Sequence, residues 1–331
     1  MRAWPASLRP PQLDYSLGNV TMTVTPPIFD RPMRDDADYW RMRRLLIDTV
    51  PITPIAFNWD MRRLDGKRFY NADLDANRLL RRPVEMWESE QGQLAGYVLA
   101  EGAGDAHVQV HPDFRYLEAE MIGWAEENLA ADDRDGGRRE LEFAVNDYDV
   151  LRQQLLAERG YTKMAYGGMC RHLRLGYQPL PAPAMADGYT LRATDPADRA
   201  DCQRIADLLN AAFGRTFHNA AEYQNFARFA PCFRRDLDLV AVAPDESFAA
   251  YIGIPYDEVN RRGIFEPVCT HPDHQRKGLA RSLMLEGFHR LRAIGAIDAT
   301  VDTGDAVPAN AFYTSMGFTE AYKSTAWRKE W

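Results

Sequence analysis

The sequence has few of the features that mark secreted, membrane-spanning or metal-stabilised proteins. It contains only four cysteines in 331 residues, at least 30 residues apart and without a Cys-x-x-Cys pair. This spacing is typical of reduced cytosolic thiols rather than of a zinc knuckle or a disulfide framework. No apolar run reaches the length of a membrane span, and residues 1–25 lack the hydrophobic middle of a secretory signal. We therefore expect a cytoplasmic protein without a membrane partner.

An excess of basic residues is also absent, because 40 Lys and Arg face 48 Asp and Glu, for a formal net charge of -8. General binding to nucleic acid or to an anionic membrane needs a basic surface, so we expect neither as a partner. The composition, 46% hydrophobic and 27% charged, is that of a globular protein long enough for two ordinary cores.

One stretch joins a strand, a basic turn and a helix. Residues 264–270 are rich in β-formers, and Pro272 ends the run. Apolar residues then recur at helical spacing from Ala280 to Ile294. A helix that starts after Gly278 directs its unpaired N–H groups and the positive end of its dipole at the turn, which favours a bound anion. We predict a diphosphate site at Gln275, Arg276, Lys277, Gly278, Leu279 and Ala280.

Two motifs in order resemble a known family. Gln275-x-x-Gly278-x-Ala280 is similar to motif A of the GNAT superfamily of acyl-CoA-dependent N-acyltransferases, and Tyr313-x-x-x-Gly317-Phe318 resembles an element near the end of its members. The resemblance implies an α/β (α+β) fold with a mixed, mostly antiparallel sheet flanked by helices. It also implies acetyl-CoA as cosubstrate, an amine acceptor and no metal. The pantetheine arm would pair with the backbone of Val268, Cys269 and Thr270.

The chain also contains an internal duplication. His111-Pro112-Asp113 is echoed by His271-Pro272-Asp273, and Gly160-Tyr161 by Gly317-Phe318. The separations are 49 residues from His111 to Gly160 and 46 from His271 to Gly317. Two tandem copies of one fold are therefore expected, as in the mycothiol synthase type of GNAT protein.

Four segments follow from this duplication. We predict an N-terminal tail (1–25), a degenerate GNAT-like domain (26–178), a Pro/Ala linker (179–188) and a catalytic GNAT domain (189–331). In the first copy residues 115–120 contain no glycine and carry Glu118 and Glu120, which would repel a diphosphate; Leu156 replaces the tyrosine. This copy either shapes the acceptor cleft or only stabilises its partner.

Patterns in the second copy predict alternating elements. Strands are expected at 189–193, 237–243, 248–254, 264–270, 298–303 and within 319–327, and helices at 196–213, 221–229 and 307–316. Thr194 or Asp195 is the predicted cap of the first of these helices.

Several side chains are candidates for the chemistry. By resemblance, Tyr313 protonates the departing thiolate, and its ordinary pKa of about 10 keeps it protonated at neutral pH. Glu266, two residues before Val268 and so on the same strand face, is the candidate base, with Asp302 as competitor. Asn310 is a candidate coenzyme contact, although a common family pattern has Asn at the position of Ala306. His271 and His274 do not suggest a metal site, because Pro272 interrupts a helix there and no third ligand is evident.

The leading hypothesis is therefore an acetyl-CoA-dependent N-acetyltransferase acting on a primary amine of a small molecule or peptide. An antibiotic-modifying member of the family is a second enzymatic possibility. A non-catalytic acyl-CoA-binding sensor or scaffold is the alternative from a different class.

Overall fold

The computed structural model describes residues 27–75, 77–132, 137–176, 179–304 and 306–331. The predicted N-terminal tail, residues 1–25, lies outside these residues. No helix of the described ranges is both long and apolar enough to cross a bilayer.

The first half alternates strands and helices. Its strands are β1 (Ile28–Pro32), β2 (Glu85–Ser89), β3 (Leu94–Leu99), β4 (Asp105–Val110), β5 (Ala131–Asp132), β6 (Arg139–Asn146) and β7 (Thr162–Arg174). Its α-helices are α1 (Asp36–Thr49), α2 (Met61–Phe69), α3 (Glu118–Asn128) and α4 (Val150–Glu158). A short 3₁₀ helix, Arg78–Arg81, lies between α2 and β2.

The second half repeats this order. Its strands are β8 (Thr190–Ala193), β9 (Asp238–Val242), β10 (Phe248–Gly253), β11 (Tyr256–Asp257), β12 (Arg262–Ile264), β13 (Val268–Thr270), β14 (Asp298–Gly304) and β15 (Glu320–Glu330). Its α-helices are α5 (Arg199–Phe213), α6 (Ala220–Phe229), α7 (Leu279–Ala293) and α8 (Val307–Ser315). The predicted mixed α/β class is confirmed.

The predicted cap of α5 is wrong. Helix α5 begins at Arg199, and the carboxylate of Asp198 accepts the hydrogen bond of the Ala200 N–H at 2.8 Å. Asp195 instead accepts from the N–H of Ala197 at 3.2 Å in a turn before the helix. The Thr194 hydroxyl donates to the buried Asp238, so neither predicted residue is available as the cap.

The predicted strand 264–270 is divided into two. Strand β12 pairs in parallel with β14, with Ile264 opposite Thr300. Strand β13 pairs antiparallel with β10 in a different sheet, with Cys269 opposite Tyr251. Pro267 lies in the connection, where the absence of an N–H prevents it from continuing a ladder of hydrogen bonds. The single predicted strand is therefore wrong, although both of its ends are strands.

The two halves share one large sheet. Its strand order is β1-β2-β3-β4-β6-β15-β7-β14-β12-β11, with β5 on β6, and a second sheet has the order β13-β10-β9-β8. Strand β15 of the second half thus lies beside β6 of the first, and β7 of the first lies beside β14 of the second. His172 on β7 has one ring nitrogen 3.0 Å from Asp298 on β14 and the other 2.9 Å from Glu320 on β15. The halves have exchanged their last strands.

The cores follow this exchange. Trp327 of β15 is buried among first-half residues such as Val145 and Leu156. Ile264 and Phe226 of the second half pack in a cluster with Met42 and Leu64 of the first. Each of these two core clusters therefore contains residues of both halves.

Candidate active site

Gly278 shapes the turn that precedes α7. Its φ of 76° lies in the left-handed region, and it is the N-cap of α7 without any side-chain cap. A Cβ at this position would meet no atom within 4 Å, so the space above the turn is open. The first N–H groups of a helix have no partner within the helix, and here they face an open basic turn. The geometry suits an anion.

The other residues of the predicted diphosphate site lie around this turn. Gln275, Arg276 and Lys277 are exposed, whereas Leu279, the first residue of α7, is buried and Ala280 is half-buried. Arg276 also has a left-handed φ of 60°. The predicted site is thus one continuous surface, with Leu279 as its anchor to the core.

Lys277 is held in place by an aromatic neighbour. Its ammonium donates to the Tyr189 hydroxyl at 2.6 Å and lies 5.1 Å from the centre of the Tyr189 ring. The same hydroxyl is 2.8 Å from Nδ1 of His274. Within the described ranges, no group of three His, Cys, Asp or Glu side chains is arranged to hold a metal ion.

Strands β13 and β14 diverge next to this turn. Strand β13 is the last strand of the small sheet, with β10 on one side and no strand among the described residues on the other. Strand β14 pairs with β12 as far as Thr300, whose carbonyl also accepts from Phe265 N–H at 2.8 Å. Beyond Thr300 the pairing with β12 ends. The result is a gap between two strands with unpaired edges, which an extended polar chain can enter.

Tyr313 lies near this gap. It is 7% exposed and packs against Phe312 and Phe318, with ring centres 5.5 and 6.2 Å away. Burial raises the pKa of Tyr313 to about 12, and the charges of Glu266 and Cys269 contribute to the rise. The phenol is therefore protonated at neutral pH and able to donate a proton. The structure brings Tyr313 and Glu266 into one electrostatic environment.

Glu266 lies in the connection between β12 and β13. The expectation that it shares a strand face with Val268 is wrong, because the strand is interrupted at Pro267. Its carboxylate is about one third exposed and lies 3.5 Å from a guanidinium nitrogen of Arg62 on α2 of the first half. A residue of the first half thus contacts the candidate base.

Two more carboxyl groups face the same region. Asp60 caps α2 by accepting from the Arg63 N–H at 3.0 Å. Burial raises the pKa of Asp60 to about 7, assisted by the charges of Asp302 and Glu266. Asp302 lines the same cavity as Asp60, and desolvation and the charge of Glu266 also raise its pKa. Asp60 is not a candidate from sequence alone, because nothing in its local sequence connects it to Asp302.

Two cavities meet at Glu266. The carboxylate cavity, of about 690 Å³, lies between the halves and is lined by Asp60, Asp302 and Glu266. The arginine cavity, of about 900 Å³, extends between α2, the Arg78–Arg81 helix and the loop after α5. Their shared lining residues are Arg62, Arg63, Glu101 and Glu266. A molecule that reaches Glu266 can therefore extend into either cavity.

The side chain of Asn310 is engaged inside the protein. Its carbonyl oxygen accepts from Arg171 Nε on β7 at 2.8 Å, and its amide nitrogen donates to the carbonyls of Gly304 at 2.9 Å and Ala306 at 3.1 Å. It joins the start of α8 to the exchanged strand β7. Its role as a coenzyme contact stays a prediction.

Comparison with known proteins agrees with this geometry. Residues 202–318 match the sequence profile of the Acetyltransferase (GNAT) family. No curated protein has a significantly similar sequence.

Solved structures resemble nearly the whole chain. A GCN5-related N-acetyltransferase from Sphaerobacter thermophilus has a TM-score of 0.61 at 19% identity, over 92% of this chain and 97% of that one. A tandem GNAT protein from the clavulanic acid biosynthesis pathway has a TM-score of 0.61 at 17% identity, over 92% and 98%. A GNAT-family acetyltransferase from Colwellia psychrerythraea has a TM-score of 0.58 at 12% identity, over 91% and 100%. At these identities the likeness concerns the fold. Residues 202–318 are therefore similar to a GNAT acetyltransferase domain, and nearly the whole chain has the fold of these GNAT structures, one of which is a tandem protein.

Proposed function

We propose that the protein is a cytoplasmic acetyl-CoA-dependent N-acetyltransferase that acts on a primary amine of a small molecule or peptide. The observations that carry the proposal are the unpaired edges of β13 and of β14 beyond Thr300, and the electrostatic influence of Glu266 and of Cys269, on β13, on Tyr313. The family match supports acyl transfer in general. The proposal goes beyond this match in naming acetyl as the transferred group and an amine as the acceptor.

The coenzyme would occupy the gap and the turn. Its pantetheine arm would pair with the backbone of Val268, Cys269 and Thr270 along the unpaired edge of β13. Its diphosphate would bind the N–H groups that start α7, with Gly278 leaving room for close approach. Lys277 and Arg276 supply positive charge at the same surface.

The proton transfers can be assigned to residues of this chain. Glu266 accepts a proton from the ammonium of the acceptor, and the free amine then attacks the thioester carbonyl. The C–N bond forms, the C–S bond breaks, and Tyr313 gives its proton to the departing thiolate; the second proton that the nitrogen loses passes to the Tyr313 phenolate, and Glu266 releases its proton to solvent. Asp302 is the competing base, because desolvation and the charge of Glu266 raise its pKa and so favour proton uptake.

The first half is proposed to bind no coenzyme. Glu118 lies seven residues after His111, the position that Gly278 has relative to His271. The Glu118 carboxylate is fully buried and accepts from Arg115 Nε at 2.5 Å and from Arg152 Nε at 2.7 Å. An internal anion and its two guanidinium partners thus occupy the place of the open turn. This arrangement supports the interpretation of the first half as a degenerate copy that binds no coenzyme.

Calorimetry and a thiol-release assay test the proposal together. We expect one acetyl-CoA per chain and release of free coenzyme thiol when a panel of primary amines is added. Glu266→Gln should abolish most of the turnover while acetyl-CoA binding persists, and Asp302→Asn should reduce turnover less. Binding without turnover for every amine would favour the sensor alternative, and two equivalent sites per chain would contradict the degenerate copy.

A further inference from the structure

Resting on the proposed function, we infer that the arginine cavity binds an anionic group of the acceptor, so that the substrate is an amine carrying a carboxylate or phosphate. The cavity reaches Glu266 and Pro267 at one end, where the proposed chemistry takes place. An acceptor whose nitrogen lies at Glu266 can extend the rest of its body into this space.

The walls of the cavity are strongly basic in a protein of net charge -8. The cationic side chains of its lining are those of Arg62, Arg63, Lys67, Arg78, Arg81, Arg82, Arg215 and Arg234. The lining includes only three carboxylates, those of Glu101, Asp238 and Glu266. Asp238 is occupied by hydrogen bonds from the hydroxyls of Tyr223 at 2.6 Å and Tyr251 at 2.7 Å. The cavity therefore favours an anionic ligand over a cationic one.

Part of this charge is already neutralised within the protein. Arg63 pairs with Glu101, and Arg78 pairs with Glu222 at 2.8 Å. Arg81, Arg82 and Arg215 are exposed at the mouth and form no ion pair within the described residues. Guanidinium groups bind carboxylates and phosphates through paired N–H donors, so these three are the candidates for contact with a ligand.

A glycine in α2 keeps the cavity open. Gly66 lies inside the helix, where glycine is less favourable than alanine, and it lines the cavity. A Cβ at Gly66 would meet no atom within 4 Å, and the backbone is ordinary helix there. Packing therefore does not require a glycine at this position. The visible consequence of the missing side chain is additional room in the cavity.

The mouth also offers aromatic surface. Phe213 and Phe217 are 43% and 62% exposed, and the Arg215 guanidinium lies 5.0 and 5.6 Å from their ring centres. Exposed phenylalanines around an unpaired arginine provide contact for the apolar body of a ligand next to its charge. An anion on an aromatic or aliphatic frame fits this combination.

The first half supplies most of these cations, through α2 and the segment that follows it. Arg78 and Arg81 belong to the 3₁₀ helix before β2, and Arg82 comes directly after it. The degenerate copy thus contributes to recognition of the acceptor's anionic group as well as to packing.

Matched amines test the inference directly. The thiol-release assay would compare 4-(aminomethyl)benzoate with benzylamine, which differ only in the carboxylate. We expect a kcat/KM at least tenfold higher for the carboxylate compound. Arg82→Glu and Arg81→Glu should each remove most of this preference while changing kcat/KM for benzylamine less than twofold, because benzylamine has no anionic group for either residue to bind. Arg199→Glu, an exposed charge reversal that lines neither cavity, is the control.

Two variants of Gly66 distinguish the effect of filling the cavity from the effect of damaging helix α2. Gly66→Phe should abolish the preference for the carboxylate, whereas Gly66→Ala, which adds one methyl group in open space, should raise the melting temperature and retain the preference. Acetyl-CoA affinity should be unchanged in all of these variants. Equal kcat/KM for the two amines, or a preference that survives Arg82→Glu and Gly66→Phe, would overturn the inference.

Failure of the proposed function would be recognised separately. If neither amine is acetylated, calorimetry of 4-(aminomethyl)benzoate with the full chain still tests the cavity. Binding that weakens at least tenfold in Arg82→Glu, but not in Arg199→Glu, supports an anion site without the proposed reaction. No binding of the carboxylate compound would overturn the inference.

Discussion

Trp327 lies directly opposite Phe143 in the large sheet, although 184 residues separate them in the chain. Trp327 is 8% exposed and belongs to the core of the first half, together with Phe143. The last strand of the second half therefore completes the core of the first. Neither half has a complete sheet without the other.

Trp327→Ala should destabilise the whole protein. Removal of a large buried aromatic side chain leaves a cavity and costs about 3 to 5 kcal/mol of unfolding free energy. Urea unfolding, followed by circular dichroism, measures this loss. Both halves should unfold in one transition, because they share a sheet. Trp331→Ala is the control, since Trp331 is 48% exposed; a separate, unchanged transition of the first half would contradict the exchange.

Gly278→Glu should raise the dissociation constant of acetyl-CoA at least tenfold. The new carboxylate repels the diphosphate and covers the N–H groups that start α7. Gly295→Glu is a matched control, because Gly295 also has a left-handed φ, of 82°, and open space around its Cβ, but lies after the other end of α7. Calorimetry on both folded variants compares them. Equal loss of affinity would point to strain in α7 and not to the turn.

Tyr313→Phe should lower kcat by about 10²- to 10⁴-fold, the usual contribution of a positioned general acid. The affinity for acetyl-CoA should barely change, because the ring keeps its packing against Phe312 and Phe318. Steady-state kinetics with an amine that the unmodified protein acetylates provide the measurement. Tyr161→Phe, a buried tyrosine of the first half, is the control. A near-normal kcat would mean that water protonates the thiolate.

Asp60→Asn should stabilise the protein at alkaline pH. The folded pKa of Asp60 is about 7, against about 3.9 in an unfolded chain. Folding thus favours the protonated carboxyl, and the stability of the wild type falls as the pH rises from about 4 to about 7. Asparagine is neutral throughout and can still accept the hydrogen bond of Arg63 N–H. The variant should therefore gain on the order of 1 to 3 kcal/mol over the wild type at pH 8 and almost nothing at pH 4.

Denaturant unfolding at both pH values checks this prediction. Asp198→Asn is the control, because Asp198 caps α5 in the same way but is exposed. A stabilisation of Asp60→Asn that does not vary with pH would show that the carboxyl is not held in its protonated form. A stabilised variant with reduced turnover would indicate that Asp60 is retained for function.

Local sequence patterns were sufficient to predict most of the helices and strands of the second half. The helix after Gly278 and the strand at 298–303, observed as Asp298–Gly304, were predicted because helical spacing, a glycine-containing turn and a short apolar run are properties of neighbouring residues. The tandem fold followed from two repeated motifs. The turn and Tyr313 were also identified from sequence, since each belongs to a contiguous motif.

Pairing between distant segments was not predictable in this way. The alternating pattern of β15 is the same whether its neighbour is β6 or β14, because a strand buries one face irrespective of which strand lies beside it. Likewise, Asp60 looks in sequence like an ordinary helix cap. Its proximity to Asp302 arises only from the packing of the two halves. The arginine cavity has the same origin, since its cations come from both copies.

The strand exchange also sets the order of events during protein synthesis. Strand β6 needs β15 as its neighbour, and 174 residues separate Asn146 from Glu320. At the usual elongation rates the ribosome takes roughly 10 to 35 s to make that stretch. Throughout this interval the nascent first half has an unsatisfied edge on β6 and lacks the indole that fills its core. A chaperone that covers strand edges would therefore bind the nascent chain after β6 emerges and leave when β15 arrives.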